Sequence, residues 1–225
     1  MYEILTGPGL WLAFAIAVIG LVVRTVFYIQ GLNWKLDRVA YSAFPAAGAK
    51  GAIRSILAFL IPFGNHSWRA KPGFTVMFFT FHIGLLAVPL FLEGHAVILM
   101  ERFGIAWPSM SMGAADFWTV AMLVAAMGIA MRRLLLPEVR IVTDAKDWFV
   151  LIISVAPFLS GYMVVHQIGD YNFWLLAHIV SGLAWIALLP FTKLFHVVGF
   201  FWSRAQLGMD FGIKRGGMKY KSFDW

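Results

Sequence analysis

Long apolar segments alternate with shorter segments rich in lysine and arginine along this chain. Five apolar segments are long enough to cross about 30 Å of hydrocarbon as a helix. They cover residues 10–29, 74–100, 117–136, 148–168 and 173–202. Because backbone groups inside lipid must bond to one another, each segment is predicted to be an α-helix. The pattern therefore predicts an all-α, polytopic membrane protein, a bundle of five transmembrane helices that forms a single domain over residues 1–225.

The composition supports a membrane protein and restricts its chemistry. Of the 225 residues, 61% are hydrophobic, and none is cysteine. The absence of cysteine excludes disulfides, iron–sulfur clusters and zinc held by thiolates, and covalent haem attachment through a CxxCH motif. Any metal must be bound by histidine, methionine or carboxylates, or inside a non-covalent cofactor. The first residues, MYEILTGPGLWLAF, lack the basic start and cleavage site of a signal peptide, so the first segment is predicted to be a retained span.

The charge distribution predicts the orientation. Lysine and arginine are concentrated in loop 31–73, loop 132–147 and tail 203–225, whereas the opposite side carries only Arg102. The positive-inside rule then predicts an outside N-terminus and a cytoplasmic C-terminus. The net charge of +7 reflects topology, and nucleic acid is not expected as a partner. Arg24 and Lys193 fall inside predicted spans, near enough to the basic side to snorkel.

One part of the first loop has an ambiguous pattern. Residues 47–68, AGAKGAIRSILAFLIPFGNHSW, mix an apolar face with Lys50 and Arg54. This pattern fits an amphipathic helix in the lipid interface and equally a plain connecting helix.

Four of the six histidines form two predicted pairs. His82 and His95 lie on the second span, and His178 and His196 lie on the fifth. These spans run in opposite directions, so His82 lies level with His196 near the cytoplasm, and His95 lies level with His178 near the exterior. Two imidazoles on opposite sides of an iron give a low-spin haem with no open position, which transfers electrons and does not bind oxygen. Non-covalent haem b needs no cysteine.

Helical spacing tests this pairing. His178 and His196 are 18 residues apart, which is about five turns and ~27 Å on one helix face. His82 and His95 are 13 residues apart, which is ~20 Å but places them on largely opposed faces. Pro89 lies between them, so we expect the second span to be irregular near Pro89. If that span were straight, His166 would replace one of the ligands at the outer site.

Three sequence blocks resemble a known family. FHIGLLAVPLFLEGH, RRLLLPEVRIVTDAKD and FWLLAHIVSGLAWIALLPFTKLFH resemble, in this order, the gamma subunit of respiratory nitrate reductase, and the resemblance covers roughly residues 74–200. The long first loop and short chain are more similar to the membrane cytochrome b subunits of the heterodisulfide-reductase-like transmembrane complexes of sulfate-reducing bacteria. The resemblance implies a five-helix cytochrome b with two haems b, the inner one on His82 and His196 and the outer one on His95 and His178.

The resemblance also implies a menaquinol or menaquinone site near the outer haem. Here the sequence departs from the nitrate branch, because the interval from His82 to His95 is longer and Asp116 stands where that branch has a lysine near the third span. Candidates for quinone and proton chemistry are Glu93, Asp116 and His166; a solvated or structural role is the alternative for each. Asp170 is a further carboxylate on this side that could accept quinol protons, and among these carboxylates Glu93 has the strongest claim because it lies deepest in its span.

Several other residues each have two interpretations. Arg132, Arg133 and Arg140 are candidates for contacts with haem propionates, and topology-setting charge is at least as good a reading. Gly84 and Gly182 are candidates for letting a porphyrin approach, although small residues in membrane helices more often mediate helix packing. His66, in the basic loop, is expected to be solvated or to face a partner.

These features lead to one functional expectation and two alternatives. The expected function is electron transfer between menaquinol or menaquinone near the outer face and a cytoplasmic iron–sulfur subunit docked on the basic surface, in either direction. Further periplasmic cytochrome subunits are additional candidate partners. The alternatives are a haem-free transporter or proton channel with a relay of intramembrane histidine and carboxylate groups, and a purely structural membrane anchor.

Overall fold

A computed structural model describes residues 2–32 and 45–214, with side chains as far as residue 210. In these ranges the chain forms helices and turns and no strand. Parts of the predicted cytoplasmic loop (33–44) and of the basic tail (215–225) lie outside the described residues.

The helices have the following bounds in chain order: α1 Tyr2–Gln30, α2 Pro45–Leu60, α3 His66–Ala70, α4 Pro72–Phe91, α5 Glu93–Phe103, α6 Met112–Leu135, α7 Pro137–Arg140, α8 Ala145–Val165, α9 Tyr171–Leu188 and α10 His196–Lys214. Five of them, α1, α4, α6, α8 and α9, are long and apolar enough to cross a membrane. The prediction of an all-helical chain with five candidate spans is thus confirmed. The orientation stays a prediction.

The second predicted span is broken. α4 ends at Phe91, Leu92 adopts an extended conformation with φ −64° and ψ 132°, and α5 begins at Glu93. Pro89 lies in the last turn of α4, where it lacks the N–H that a regular helix needs and its ring crowds the preceding turn. The irregularity predicted near Pro89 is therefore confirmed.

The fifth predicted span, residues 173–202, is not one helix. α9 ends at Leu188, a 3-10 turn follows at Lys193–Phe195, and α10 begins at His196. Pro190 interrupts the helix, and the Thr192 side chain then accepts a hydrogen bond from the N–H of Leu194. The expectation that His178 and His196 share one face of a continuous helix was therefore wrong, and Lys193 lies in the turn instead of in a span.

Polar residues explain several helix ends. The Ser111 side chain caps α6 by accepting from the N–H of Ala114. Asp144 and Asp147 form a reciprocal capping box at the start of α8. Asp170 accepts a hydrogen bond of 2.6 Å from the N–H of Phe173 at the start of α9. Each cap satisfies backbone donors that the first turn leaves unpaired.

Residue contacts divide the chain into two compact units, and the prediction of a single domain stays a prediction. The first unit comprises Met1–Trp11 and Val76–Ile186. Its core lies among α4, α6 and α8 and contains Phe81, Leu85, Val88, Met122, Ala125, Ala126 and Phe158. Gly84 of α4 lies against α6, because an added Cβ would come 2.7 Å from the Trp118 carbonyl oxygen and 2.6 Å from Met122 Cβ. Small residues thus allow these two helices to approach closely.

The second unit comprises Leu12–Thr75 and Ala187–Trp225. In it α2 packs against α10, with the backbone of Gly208 close to the Gly51 carbonyl and the Arg204 guanidinium 4.3 Å from the centre of the Phe59 ring. Residues 47–60 of the ambiguous loop segment therefore lie in a helix that packs against α10 of the same chain. Its placement in a lipid interface stays a prediction.

Candidate functional site

The break at Leu92 changes the direction of His95. On a straight helix His82 and His95 would face largely opposite ways. In the structure His95 lies in the first turn of α5, and its Nδ1 is 2.9 Å from the carbonyl oxygen of Pro89 in α4. The break therefore changes the direction of the His95 side chain, as the predicted pairing with His178 requires.

His95 and His178 face each other in the first unit. Their ring centres are 6.0 Å apart and their planes differ by 5°. A metal–imidazole bond is ~2 Å long and the ring centre lies ~1 Å behind the bound nitrogen, so rings that flank one ion come ~6 Å apart. The spacing and the parallel planes match this arrangement. The same spacing also occurs between offset aromatic rings, so a second observation is needed.

The hydrogen bonds of the two rings supply that observation. His178 Nδ1 lies 2.8 Å from the carbonyl oxygen of Pro157 in α8, as His95 Nδ1 does from that of Pro89. A carbonyl oxygen only accepts, so Nδ1 carries the proton in both rings and Nε2 keeps its lone pair. Metal-binding histidines are oriented in this way, with one nitrogen donating to a carbonyl and the other on the metal.

The two inner candidates have the same local arrangement. His82 Nδ1 lies 2.8 Å from the Phe78 carbonyl oxygen, and His196 Nδ1 lies 2.8 Å from the Lys193 carbonyl oxygen. His82 belongs to the first unit and His196 to the second. The carbonyl acceptors place the ring proton on Nδ1 in both residues, and the pairing of His82 with His196 stays a prediction.

His166 is bonded differently. Its Nε2 lies 3.0 Å from Asp116 Oδ1, and both side chains are about one-third exposed. Tyr162 packs on the other side, with its ring centre 4.3 Å from that of His166. The nitrogen that an axial ligand would use is therefore engaged by a carboxylate, and His166 is not needed to replace His95. Two of the three residues proposed for proton chemistry, Asp116 and His166, are brought together.

Glu93 lies in a different place. It lines an open groove of about 500 Å³ whose other lining residues are Ala96, Val97, Met100, Ala106, Trp107, Pro108 and Ser109. Neither Asp116 nor His166 lines this groove. The expected proton site is thus divided between a carboxylate–imidazole pair and a carboxylate in a largely apolar groove.

The three candidate propionate arginines lie around the end of α6 and in α7. Arg133 Nη1 is 3.6 Å from Asp147 Oδ1, at the capping box of α8. This ion pair gives Arg133 a structural role at the start of α8. A contact of Arg132, Arg133 or Arg140 with a propionate stays a prediction.

Sequence reasoning missed two residues that contact the His178 ring. Pro157 provides the acceptor for His178, and Gly161, one turn later in α8, provides the space for its ring. Backbone acceptors have no residue-type signature, so Pro157 gave no signal. The two glycines singled out from sequence behave differently: Gly84 is a packing contact, whereas nothing lies within 4 Å of a Cβ added at Gly182.

The donor set suits a cofactor that brings its own equatorial ligands. Within residues 2–32 and 45–214 no group of three or more histidine, cysteine or carboxylate side chains is arranged to bind a metal ion. A structural or catalytic zinc site normally uses three or four protein ligands, whereas a haem iron needs two axial ones. The His95 and His178 pair fits the second case.

Comparison with known proteins gives a full-length relative. No protein-family model matches the chain. A protein of Nitratidesulfovibrio vulgaris strain Hildenborough is 52% identical over 226 residues, which cover 100% of both chains. Because identity at this level extends from end to end, the present chain belongs to the same family as this Nitratidesulfovibrio vulgaris protein.

Proposed function

We propose that the chain is the membrane di-haem cytochrome b subunit of a respiratory complex in the bacterial inner membrane. It transfers electrons between menaquinol or menaquinone near the outer face and a cytoplasmic iron–sulfur subunit. The observation that carries this proposal is the pair of parallel imidazoles of His95 and His178, whose Nδ1 atoms both bond to backbone carbonyls.

Four histidines would hold the cofactors. His95 and His178 would bind the outer haem b, and His82 and His196 the inner one, in each case through Nε2. Held by these imidazoles, each haem would supply reversible one-electron chemistry. The carbonyl acceptors set the tautomer of each ring, hold its plane and raise its basicity as a ligand.

Apolar rings surround the inner candidate His82. The Phe78 ring centre lies 4.1 Å from that of His82, and the Phe81 ring lies edge-on at 5.3 Å. These rings restrict the side chain and place apolar groups beside it. Low polarity around an axial ligand is one of the means by which a protein sets a haem potential.

Proton handling is assigned to the Asp116–His166 pair. A quinol loses two protons when it is oxidised, so a base must lie within reach of its hydroxyl groups. The pair joins an acceptor and an imidazole at 3.0 Å, is accessible, and lies at the end of α6 that the charge pattern places outside. Glu93, in its apolar groove, is the second candidate for the same role.

The partner is assigned from the chain's own lack of other redox groups. With no cysteine the chain cannot hold an iron–sulfur cluster through thiolates. The basic residues of the predicted cytoplasmic side offer a surface for a subunit that carries such clusters. Further periplasmic cytochrome subunits fit the opposite side.

A visible spectrum and haem assay of the purified full-length protein test the proposal. We expect two low-spin b-type haems per chain. His178→Ala and His95→Ala should each remove the outer haem, and His82→Ala and His196→Ala the inner one. His66→Ala and His166→Ala are the matched controls and should retain both haems.

A colourless wild-type protein that remains folded in membranes overturns the proposal. Transport or proton conduction by such a protein would then favour the haem-free alternative. Loss of haem in His166→Ala but not in His95→Ala would overturn the ligand assignment alone.

A further inference from the structure

α8 and α9 meet along an antiparallel seam with two matching levels. Gly161 lies level with His178, and Ser154 lies level with Trp185. The two residues in α8 are seven positions apart, and so are the two in α9. Seven residues are about two helical turns, so the two residues in each helix lie on one face. Trp185 Nε1–H donates to Ser154 Oγ at 3.3 Å and ties α9 to α8 two turns from the histidine.

Gly161 is in close contact with the ring of His178. A Cβ built on Gly161 would lie 3.0 Å from both Nδ1 and Cε1 of His178. This is closer than ordinary van der Waals contact, so any side chain at position 161 must push the imidazole away. A larger displacement would also break the 2.8 Å hydrogen bond between the ring and the Pro157 carbonyl.

Among the described glycines, only Gly161 has a histidine ring in this position. Gly84 and Gly128 instead face Met122 and Met77, respectively, and therefore serve the packing of α4 on α6. The contact at Gly161 concerns the plane and position of one imidazole.

We infer that Gly161, together with the Pro157 carbonyl, is the positioning element for the outer axial ligand His178. α8, which provides no ligand itself, would thus determine how the His178 imidazole is presented. The inference rests on the proposed function, because His178 is an axial ligand only if the outer haem is present.

Two substitutions at Gly161 should displace the His178 ring by different amounts. Gly161→Ala requires a shift of a few tenths of an ångström, so we expect both haems to be retained, with altered low-spin EPR g-values and a shifted midpoint potential for the outer haem alone. Gly161→Val requires a larger shift, so we expect the haem content to fall from two per chain to one. Gly113→Val is the matched control, since nothing lies within 4 Å of a Cβ added at Gly113.

A double variant separates positioning from general packing. If Gly161 acts through His178, adding Gly161→Val to His178→Ala should not change the haem content or the EPR signal of the remaining haem any further. A purely structural role would make the double variant lose the inner haem as well.

The outcomes are distinguishable. Two haems in the wild type with unchanged EPR signals and potentials in Gly161→Ala would overturn the inference and leave the proposed function standing. If Gly161→Val does not fold, Gly161→Ala decides the question by itself. A colourless wild type would overturn the proposed function and with it the inference.

Discussion

The side chain of His95 bonds back to the carbonyl oxygen of Pro89, six residues earlier, at 2.9 Å. In an unbroken helix this oxygen would accept from the N–H of residue 93. The break at Leu92 leaves it available to an imidazole, so the irregular segment both turns His95 and orients it. An irregular segment beside a proline thus sets the direction of His95.

Pro89→Ala should therefore damage the outer site. Restoring an N–H at position 89 and removing the ring favours a continuous helix, which would turn His95 away from His178. We expect the outer haem to be lost and the inner haem to be retained, measured by haem content and EPR. Pro72→Ala is the control, since Pro72 is the first residue of α4, where proline costs nothing. Two unchanged haems in Pro89→Ala would contradict this role.

The Asp116–His166 pair predicts a selective loss of quinol reactivity. Asp116→Asn removes the acceptor charge while keeping the shape of the side chain. We expect the rate of haem reduction by a menaquinol analogue to fall at least ~10-fold. The pair is partly exposed, so stability should change by no more than ~1 kcal/mol. Stopped-flow reduction and thermal unfolding measure the two effects.

The double variant Asp116→Asn/His166→Gln tests whether the pair acts as a unit. If it does, the double variant should be about as slow as either single variant, because groups that act together are not additive. Glu93→Gln is measured in parallel. A normal rate in both single variants together with a slow rate in Glu93→Gln would move the proton site to the groove that Glu93 lines.

Arg24 holds the turn that precedes His196. Its Nη1 donates to the carbonyl oxygens of Pro190 and Thr192 at 2.5 and 3.0 Å, and its guanidinium lies 4.4 Å from the centre of the Phe195 ring. Arg24→Ala should destabilise the second unit by about 1–3 kcal/mol, as expected for charged hydrogen bonds. The EPR signal of the inner haem should change because His196 follows this turn directly. Thermal unfolding and EPR provide the measurements.

Arg24→Lys provides the finer comparison. Lysine keeps the charge but not the planar fork that reaches two carbonyls. We expect an intermediate loss of stability. A lysine variant identical to the wild type in stability and in EPR signal would show that the turn before His196 does not depend on the guanidinium.

Hydropathy was sufficient to place the five apolar helices, and a single proline was sufficient to predict the break in the second span. The fifth span was predicted to extend too far, because LLPFTKLF remains largely apolar beyond Pro190. Hydropathy does not reflect the backbone N–H that a proline lacks. The snorkelling predicted for Arg24 did not include the carbonyl acceptors of Pro190 and Thr192, which the broken helix places nearby. Such acceptors appear only when the chain has folded.

The proximity of His95 and His178 was accessible from topology, since antiparallel spans place equal depths together. The details that orient the rings were not. Nδ1 bonds to backbone carbonyls, and Gly161, in the helix before that of His178, makes room for its ring. A sequence motif shows neither feature, because both depend on which atoms come together when the chain folds.

Gly84 provides a last prediction, because its sequence-based role near a porphyrin and its structural role differ. A Cβ at this position would collide with the Trp118 carbonyl and with Met122, which is fully buried. Backbone cannot yield as a flexible side chain does, so Gly84→Ala should separate α4 from α6 at a cost of about 1–3 kcal/mol. Gly182→Ala is the comparison, since it meets open space. We expect Gly84→Ala to lower the melting temperature by several degrees while both haems remain bound, and Gly182→Ala to melt like the wild type. Loss of one haem in Gly84→Ala at an unchanged melting temperature would instead restore the role beside a porphyrin.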